Sequence, residues 1–294
     1  GTSSASGGYQ TADRWWHINA GTTTVAQETS DLPPGVRYGI KWTTGASSSY
    51  GQIIQSIETA TVIPLRGKTL TLSAWVKVAG TFTGVIQPEL VYTNTNIDGG
   101  YSQMGSGNIA WTGAGVATTT WTRTSWTFTM PSDATGIRIG IIPTVVQASG
   151  AIVRIANVQL EVGSVATPFT MNTANPQQEL AACQRYYYKL NASQGSSYAV
   201  LGTGFATNTT TGAIVINFPV TLRAKPSAIE FGGSIRIHDE SNAYTASSYT
   251  YDANTASTDN IRILVNSSGL TAYRPLFLGG NNSTAAYLAF SAEL

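Results

Sequence analysis

An all-β fold of two sandwiches joined by a short helix is predicted by three observations. The chain is dense in Thr, Ser, Gly, Asn, Tyr and Trp and poor in Lys, Glu and Leu. The first set suits pleated strands and tight turns, and the second is what helices use. Short runs of alternating polarity, separated by Gly, Pro, Ser and Asn, recur along 1–172 and again along 191–294. One stretch near 176–189 combines a helix start signal with apolar residues at three- and four-residue spacing. At 294 residues the chain accommodates two domains of ordinary size.

Trp15 and Trp16 are adjacent, so their rings must diverge, one buried and the other partly exposed. The clearest strand is 70–78. It sets Leu70, Leu72, Ala74, Val76 and Val78 toward a core and Thr71, Ser73, Trp75 and Lys77 toward a polar face. A second strand, 85–92, places Ile86, Leu90 and Tyr92 opposite Gln87 and Glu89. In a third, 122–130, Trp126 and Phe128 share the core side and Arg123, Ser125 and Thr127 the other. Strands at 136–142 and 151–160 complete a sandwich or jelly roll, with no repeat of fixed period. Asn175 then offers an N-cap, Pro176 a first helical position and Glu179 an early acid. Leu180, Cys183, Tyr187 and Leu190 follow as the apolar side of a connector or bundle-forming stem, with Cys183 read as a small buried hydrophobe. The C-terminal part reads as strands at 198–205, 213–218, 227–231, 234–238, 244–251, 260–265, 273–278 and 285–294, a second sandwich. The expected organisation is therefore a domain over 1–172, a helical connector over 173–190 and a second β-domain over 191–294.

Charged residues make up only 11% of the chain, with 16 Lys and Arg against 15 Asp and Glu. That balance argues against nucleic acid or an anionic membrane as partner, since both demand clustered basic surface. No apolar run approaches the roughly 20 residues of a membrane span. One cysteine and two histidines argue against a disulfide framework, a cysteine zinc site and a histidine-based triad. No metal site or cofactor is assigned from the spacings, and a structural calcium built from loops distant in sequence stays open. A polar, weakly charged chain with seven Trp and fourteen Tyr suits a neutral, hydroxyl-rich ligand, although such rings also fill sandwich cores.

Sugar rings stack their C–H faces on aromatic side chains while nearby polar groups bind the hydroxyls. Trp75 with Gln87 and Glu89 could do this if their strands are neighbours, and Lys77 would add a cation for an acidic sugar. Tyr92, Tyr101 and Trp111 flank the Gly- and Asn-rich loop 93–118, which is longer than a packed domain needs. In the C-terminal part, Tyr249 stands with Tyr244, Tyr251 and His238 near the Ser- and Asn-rich stretch 239–259, His238 itself reading as a polar surface residue. Asn94 to Gly99 resembles the start of a calcium loop, but Gly105 occupies the position of the expected acid, so an ordinary polar loop is the reading. No pair of acids stands out for glycan cleavage, which needs two facing carboxylates, one of raised pKa.

The stretch Asn157-Val158-Gln159-Leu160-Glu161-Val162-Gly163-Ser164-Val165-Ala166-Thr167-Pro168-Phe169, followed by Glu179-Leu180 and by Cys183-Gln184-Arg185-Tyr186-Tyr187-Tyr188-Lys189, resembles the tail-fibre and other virion-appendage proteins of tailed bacteriophages. Ala12-Asp13-Arg14-Trp15, Ser73-Ala74-Trp75-Val76-Lys77, Thr119 to Arg123 and the final Ala292-Glu293-Leu294 agree with it. The resemblance implies an N-terminal jelly roll like carbohydrate-binding modules, a C-terminal fibre-tip β-domain and a homotrimer. It assigns no ligand-contacting residue. Asp13 and Arg14 read as a buried ion pair and Gln159 as a core hydrogen-bonding residue. The expectation is a non-enzymatic adhesion segment in a virion, binding a host cell-surface polysaccharide alongside other virion proteins. A purely structural decoration or appendage protein is one alternative, and a binding module attached to a depolymerase is another.

Overall fold

A computed structural model of the chain describes residues 3–4, 8–12, 15–18, 22–46, 51–95, 107–171, 175–192, 195–226 and 229–292. The chain divides into two compact units, Gly1–Met171 and Asn172–Glu293. Asp13, Arg14, most of the Asn94–Gly99 stretch, Tyr101, Gly105 and the last two residues, Glu293 and Leu294, lie outside the described residues.

Unit 1 begins with β1 (Ser3–Ser4), β2 (Gly8–Ala12), β3 (Trp15–Ile18), β4 (Thr23–Glu28), β5 (Gly39–Thr44) and β6 (Gln52–Ile57). A single helical turn, α1 (Thr59–Val62), and a 3-10 turn lead into β7 (Thr69–Gly80) and β8 (Ile86–Thr93). Then come β9 (Gly107–Asn108), β10 (Trp111–Thr112), β11 (Thr122–Thr129), β12 (Gly136–Pro143) and β13 (Ala151–Val162). They form a seven-stranded sheet, β1-β4-β5-β13-β7-β11-β10, and a six-stranded sheet, β2-β3-β6-β12-β8-β9. All pairings are antiparallel. Consecutive strands repeatedly change sheet, so the chain wraps a sandwich.

Alternation decides what fills it. Leu70, Leu72, Ala74, Val76 and Val78 are all buried on β7, as the pattern predicts, and Trp126 and Phe128 join them from β11. Leu90, Ile137 and Ile139 meet one end of this layer, and Trp42, Ile141, Val153 and Ile155 the other. On β13 the register slips by one residue between Ala156 and Gln159, where Asn157 takes φ 46°. This bulge reverses the parity, so Val153 and Ile155 face the core before it, while Val158 and Leu160 do so after it.

Unit 2 opens with the helix α2 (Pro176–Gln184). Its strands are β14 (Tyr187–Asn191), β15 (Val200–Ala206), β16 (Thr211–Asn217), β17 (Ile229–Gly232), β18 (Ile235–His238), β19 (Ala243–Thr245), β20 (Ser248–Tyr251), β21 (Asn260–Asn266), β22 (Pro275–Gly280) and β23 (Tyr287–Ser291). One sheet has the order β14-β23-β17 and the other β19-β18-β22-β15-β16-β21-β20. Ile214, Ile237, Ile263, Leu278 and Phe290 lie in the core they share. Gly233, at φ +67°, is where the chain leaves one sheet for the other, and a Cβ there would come within 2.5 Å of the Ala285–Ala286 backbone.

Three expectations change. The predicted strand 244–251 is two strands, β19 and β20, on opposite edges of the seven-stranded sheet. Only Ala246 and Ser247 separate them, so those edges stand within about 11 Å and the sheet is rolled almost closed. The helix ends at Gln184 and buries none of its residues: Leu180 is 56% exposed and Cys183 is half-exposed. Tyr187 and Leu190 belong instead to β14, paired with Ser291 and Leu288, because tertiary pairing overrides local spacing. The polar side of β7 is also less open than alternation implies, since Thr71 and Ser73 are fully buried.

Candidate functional site

The cover over Thr71 and Ser73 comes from the chain's own most distinctive stretch. Past the bulge, Gln159 and Glu161 point away from the core and bind the returning segment 163–170. The Glu161 carboxylate accepts from the Thr167 amide at 2.9 Å and its hydroxyl at 2.7 Å, and Gln159 Oε1 accepts from the Thr170 amide at 2.9 Å. Thr71 donates to the Gly163 carbonyl at 2.7 Å, and Arg123 bridges Ser73 and the Thr167 carbonyl. The Thr167 hydroxyl leads the groups that hold the Glu161 carboxyl below the usual range. Gln159 is therefore a half-buried clasp residue on the outer face, not a core residue.

The same outer face carries Trp75 and Lys77. Trp75 is half-buried, opposite Arg123 and Ala156. Lys77 Nζ lies 2.8 Å from both Asp31 oxygens, and Trp121 Nε1 donates to Asp31 at 3.1 Å. Arg154 donates to Glu28 at 2.9 Å and approaches Asp31 at 3.3 Å. Burial opposes ionisation of Glu28, yet Arg154 and the amides of Ser30 and Asp31 outweigh it and hold its carboxyl at about 2. Lys77 likewise lowers Asp31. These two carboxylates are neighbours, but both stay ionised at neutral pH, so neither supplies the protonated acid of a glycosidase pair.

Trp75 and Lys77 do not meet Gln87 and Glu89. Their strands, β7 and β8, lie in different sheets, so the two groups occupy opposite outer faces of the sandwich. Tyr92 and Trp111 sit on the inward side and pack against the core. Tyr249 is half-buried as well. Its ring lies 4.6 Å from that of Phe231, its hydroxyl donates to the Ile235 carbonyl at 3.3 Å, and burial pushes its phenol up to about 12. His238, read as a surface residue, stacks on Phe277 with ring centres 5.3 Å apart. Trp15 and Trp16 do diverge, but both are half-buried, Trp15 against the core and Trp16 opposite Ile54 on the outer side.

The outer face of the six-stranded sheet gathers the remaining polar groups. Trp16 on β3, Gln52 on β6, Arg138 on β12, Gln87 and Glu89 on β8 and Asn108 on β9 share it by register. Arg138 Nη2 is 3.1 Å from Glu89 Oε2, and Gln52 Nε2 donates to Glu89 Oε1 at 3.4 Å. That second contact crosses the intervening strand β12 at Gly140, where a Cβ would stand 3.1 Å from the Glu89 Cβ and 3.0 Å from Ile54. Ile54, Val91 and Ile142 are buried between the polar groups and form an apolar floor. The row spans four inter-strand spacings, about 19 Å, with one positive and one negative charge. Glu89 Oε2 accepts no hydrogen bond among the described residues.

Gln87 and Glu89 were legible from alternation on β8. Arg138 and Gln52 were missed, although a lone arginine inside the apolar run Gly136–Pro143 is a signal in itself. Among the described residues, no group of three or more His, Cys, Asp or Glu is placed to hold a metal ion. Among the described residues, no helix is long and apolar enough to cross a membrane.

No family model and no curated protein matches the chain. Solved structures with weak likeness include the enzymatically active domain of tailspike protein 4 from Bacteriophage CBA120, at 15% identity and TM-score 0.37 over 51% of this chain and 19% of that one. The CBM22-1 and GH10 modules of Clostridium thermocellum xylanase 10B align at 18% identity and TM-score 0.35, over 52% and 26% of the two chains. The CBM22-1 xylan-binding domain of Paenibacillus barcinonensis Xyn10C aligns at 11% identity and TM-score 0.36, over 51% and 87%. The chain thus spans 19% and 26% of the first two neighbours' length. Likenesses this weak speak to neither ligand nor activity.

Proposed function

We propose that this chain is a non-enzymatic adhesion segment of a phage tail fibre or similar virion appendage, and that unit 1 binds a neutral host cell-surface glycan. The observation that carries the reading is the outer face of the six-stranded sheet. Gln52, Gln87, Glu89, Arg138 and Asn108 offer donors and acceptors across about 19 Å, above an apolar floor and beside Trp16. Such a surface meets vicinal hydroxyls and a C–H face together, and its balanced charge suits an uncharged sugar. The virion setting rests on the resemblance carried by 157–189. A homotrimer, with unit 2 at the fibre tip and other virion proteins as neighbours, follows from that same resemblance. One shallow site binds weakly, and three copies multiply it through effective concentration.

The structural alternative has an observation of its own: Trp42 and Trp126 are buried, while Tyr92 and Trp111 pack inward, so these four rings serve packing. Binding of the purified full chain to host cells and to a glycan array separates the two. Saturable cell binding that one polysaccharide competes away supports adhesion. A well-folded trimer by sedimentation that binds neither cells nor glycans makes the decoration reading the correct one.

A further inference from the structure

We infer that unit 2 carries a saccharide site of its own, independent of unit 1, for a neutral pyranose at a depression beside Tyr273. Tyr273 is the unit's anomaly. A bulky aromatic residue rarely takes positive φ, yet Tyr273 has φ +66° and its side chain is 80% exposed. No burial of the ring offsets that backbone cost. The conformation is held from outside: the Tyr273 amide donates to the Ala206 carbonyl at 2.7 Å, and the Ala206 amide donates to the Arg274 carbonyl at 2.9 Å. The loop is thereby latched to the end of β15, next to Phe205, itself 47% exposed. Strain maintained without a packing return is a mark of function.

The residues that follow it in the chain, Arg274, Pro275 and Phe277, line a depression with the matching chemistry. This depression, of about 320 Å³, is also lined by Asp239, Glu240 and Ser241. Its size is at the low end of ligand sites, about 300–1,000 Å³. Phe277 is stiffened by its stack on His238. Asp239 organises the rim: its Oδ1 accepts from the Ser241 and Asn242 amides at 2.8 and 2.7 Å, and Arg274 Nη1 donates to its Oδ2 at 2.8 Å. Arg274, 43% exposed at its side chain, keeps further guanidinium donors at the rim, and Glu240 and Ser241 are exposed there. An aromatic face, a planar donor and a carboxylate acceptor within one shallow depression fit a pyranose ring with vicinal hydroxyls. Two acids against one arginine disfavour an acidic sugar.

The inference takes only its ligand class from the adhesion reading. The full chain, isotope-labelled at its aromatic rings, is titrated with methyl glycosides of glucose, galactose and mannose while NMR follows each ring. Saturable shifts of the Phe277 and His238 signals are expected with at least one glycoside. Tyr273→Gly should weaken that binding about tenfold while raising the melting temperature of unit 2, because glycine relieves the left-handed backbone. Tyr273→Phe should bind as the unaltered chain does. Shifts confined to the tryptophans of unit 1 would support the adhesion reading and overturn this one. So would unchanged affinity in Tyr273→Gly, or a Tyr273→Gly chain less stable than its parent, since the ring would then serve the fold.

Discussion

His17 shows how one residue ties the N-terminal strands to pH. It is 1% exposed, pairs with the Thr23 hydroxyl at 3.0 Å through Nε2, and burial brings its pKa down from 6.5 to about 4. Between those two values the unfolded chain binds a proton that the folded chain refuses, so acid favours unfolding. The contribution is intact above pH 6.5 and is lost as pH falls to about 4, amounting to about 3 kcal/mol. All seven tryptophans fall within residues 15–126, so urea unfolding followed by tryptophan fluorescence reports unit 1 alone. His17→Gln should flatten the dependence in this window. An unchanged slope would mean that another group carries it. Glu28 acts lower: its folded carboxyl sits at about 2 against 4.5, so its stabilisation persists above 4.5 and disappears toward 2. Glu28→Ala leaves Arg154 half-paired and should cost about 3 kcal/mol.

The candidate site was half legible for a reason visible in single residues. Alternation on β8 separates Glu89 from Leu90, and that separation holds. It says nothing about which sheet a strand joins, and so it could not show that Trp75 and Glu89 face opposite ways. Nor could it pair Arg138 with Glu89, a contact between strands 49 positions apart that rests on register alone.

At the scale of elements, the most recognisable stretch of sequence is a structural device. Gln159 and Glu161 share a face by alternation, and the Asn157 bulge turns that face outward, where they fasten Thr167 and Thr170 over Thr71 and Ser73. Removing both side chains, Gln159→Ala with Glu161→Ala, should raise amide exchange across 163–170 and leave the unit 1 core protected. Exchange that stays slow would show the segment held by other contacts. Gly233 tests the strand switch of unit 2. Gly233→Ala meets both a disfavoured backbone and the Ala285–Ala286 main chain, so unit 2 should lose about 2–4 kcal/mol by tyrosine signals or circular dichroism, with unit 1 fluorescence unaffected. Strands such as β7 and β11 were readable because both faces have distinct chemistry. By contrast, β14 continues the spacing of α2, and its partner β23 lies about a hundred residues away, so no local pattern could reveal it.

For the whole molecule, the sparse and balanced charge has a measurable consequence. Affinity that rests on hydroxyl bonding and ring contact has little dependence on ionic strength, whereas binding through phosphates or an anionic surface falls steeply with salt. Cell binding should therefore vary less than about twofold between low and physiological salt. A steep loss would point to a charged ligand and to the Lys77 and Arg123 side of unit 1 instead.

The central claim is that the outer face of the six-stranded sheet, not its opposite, holds the glycan. The most direct measurement compares saturable binding of the competing polysaccharide by Glu89→Gln and Trp75→Ala, each first shown folded by tryptophan fluorescence. The account predicts that Glu89→Gln weakens binding at least about tenfold, while Trp75→Ala leaves it intact. Loss in Trp75→Ala with full binding by Glu89→Gln would contradict it and move the site to the other sheet.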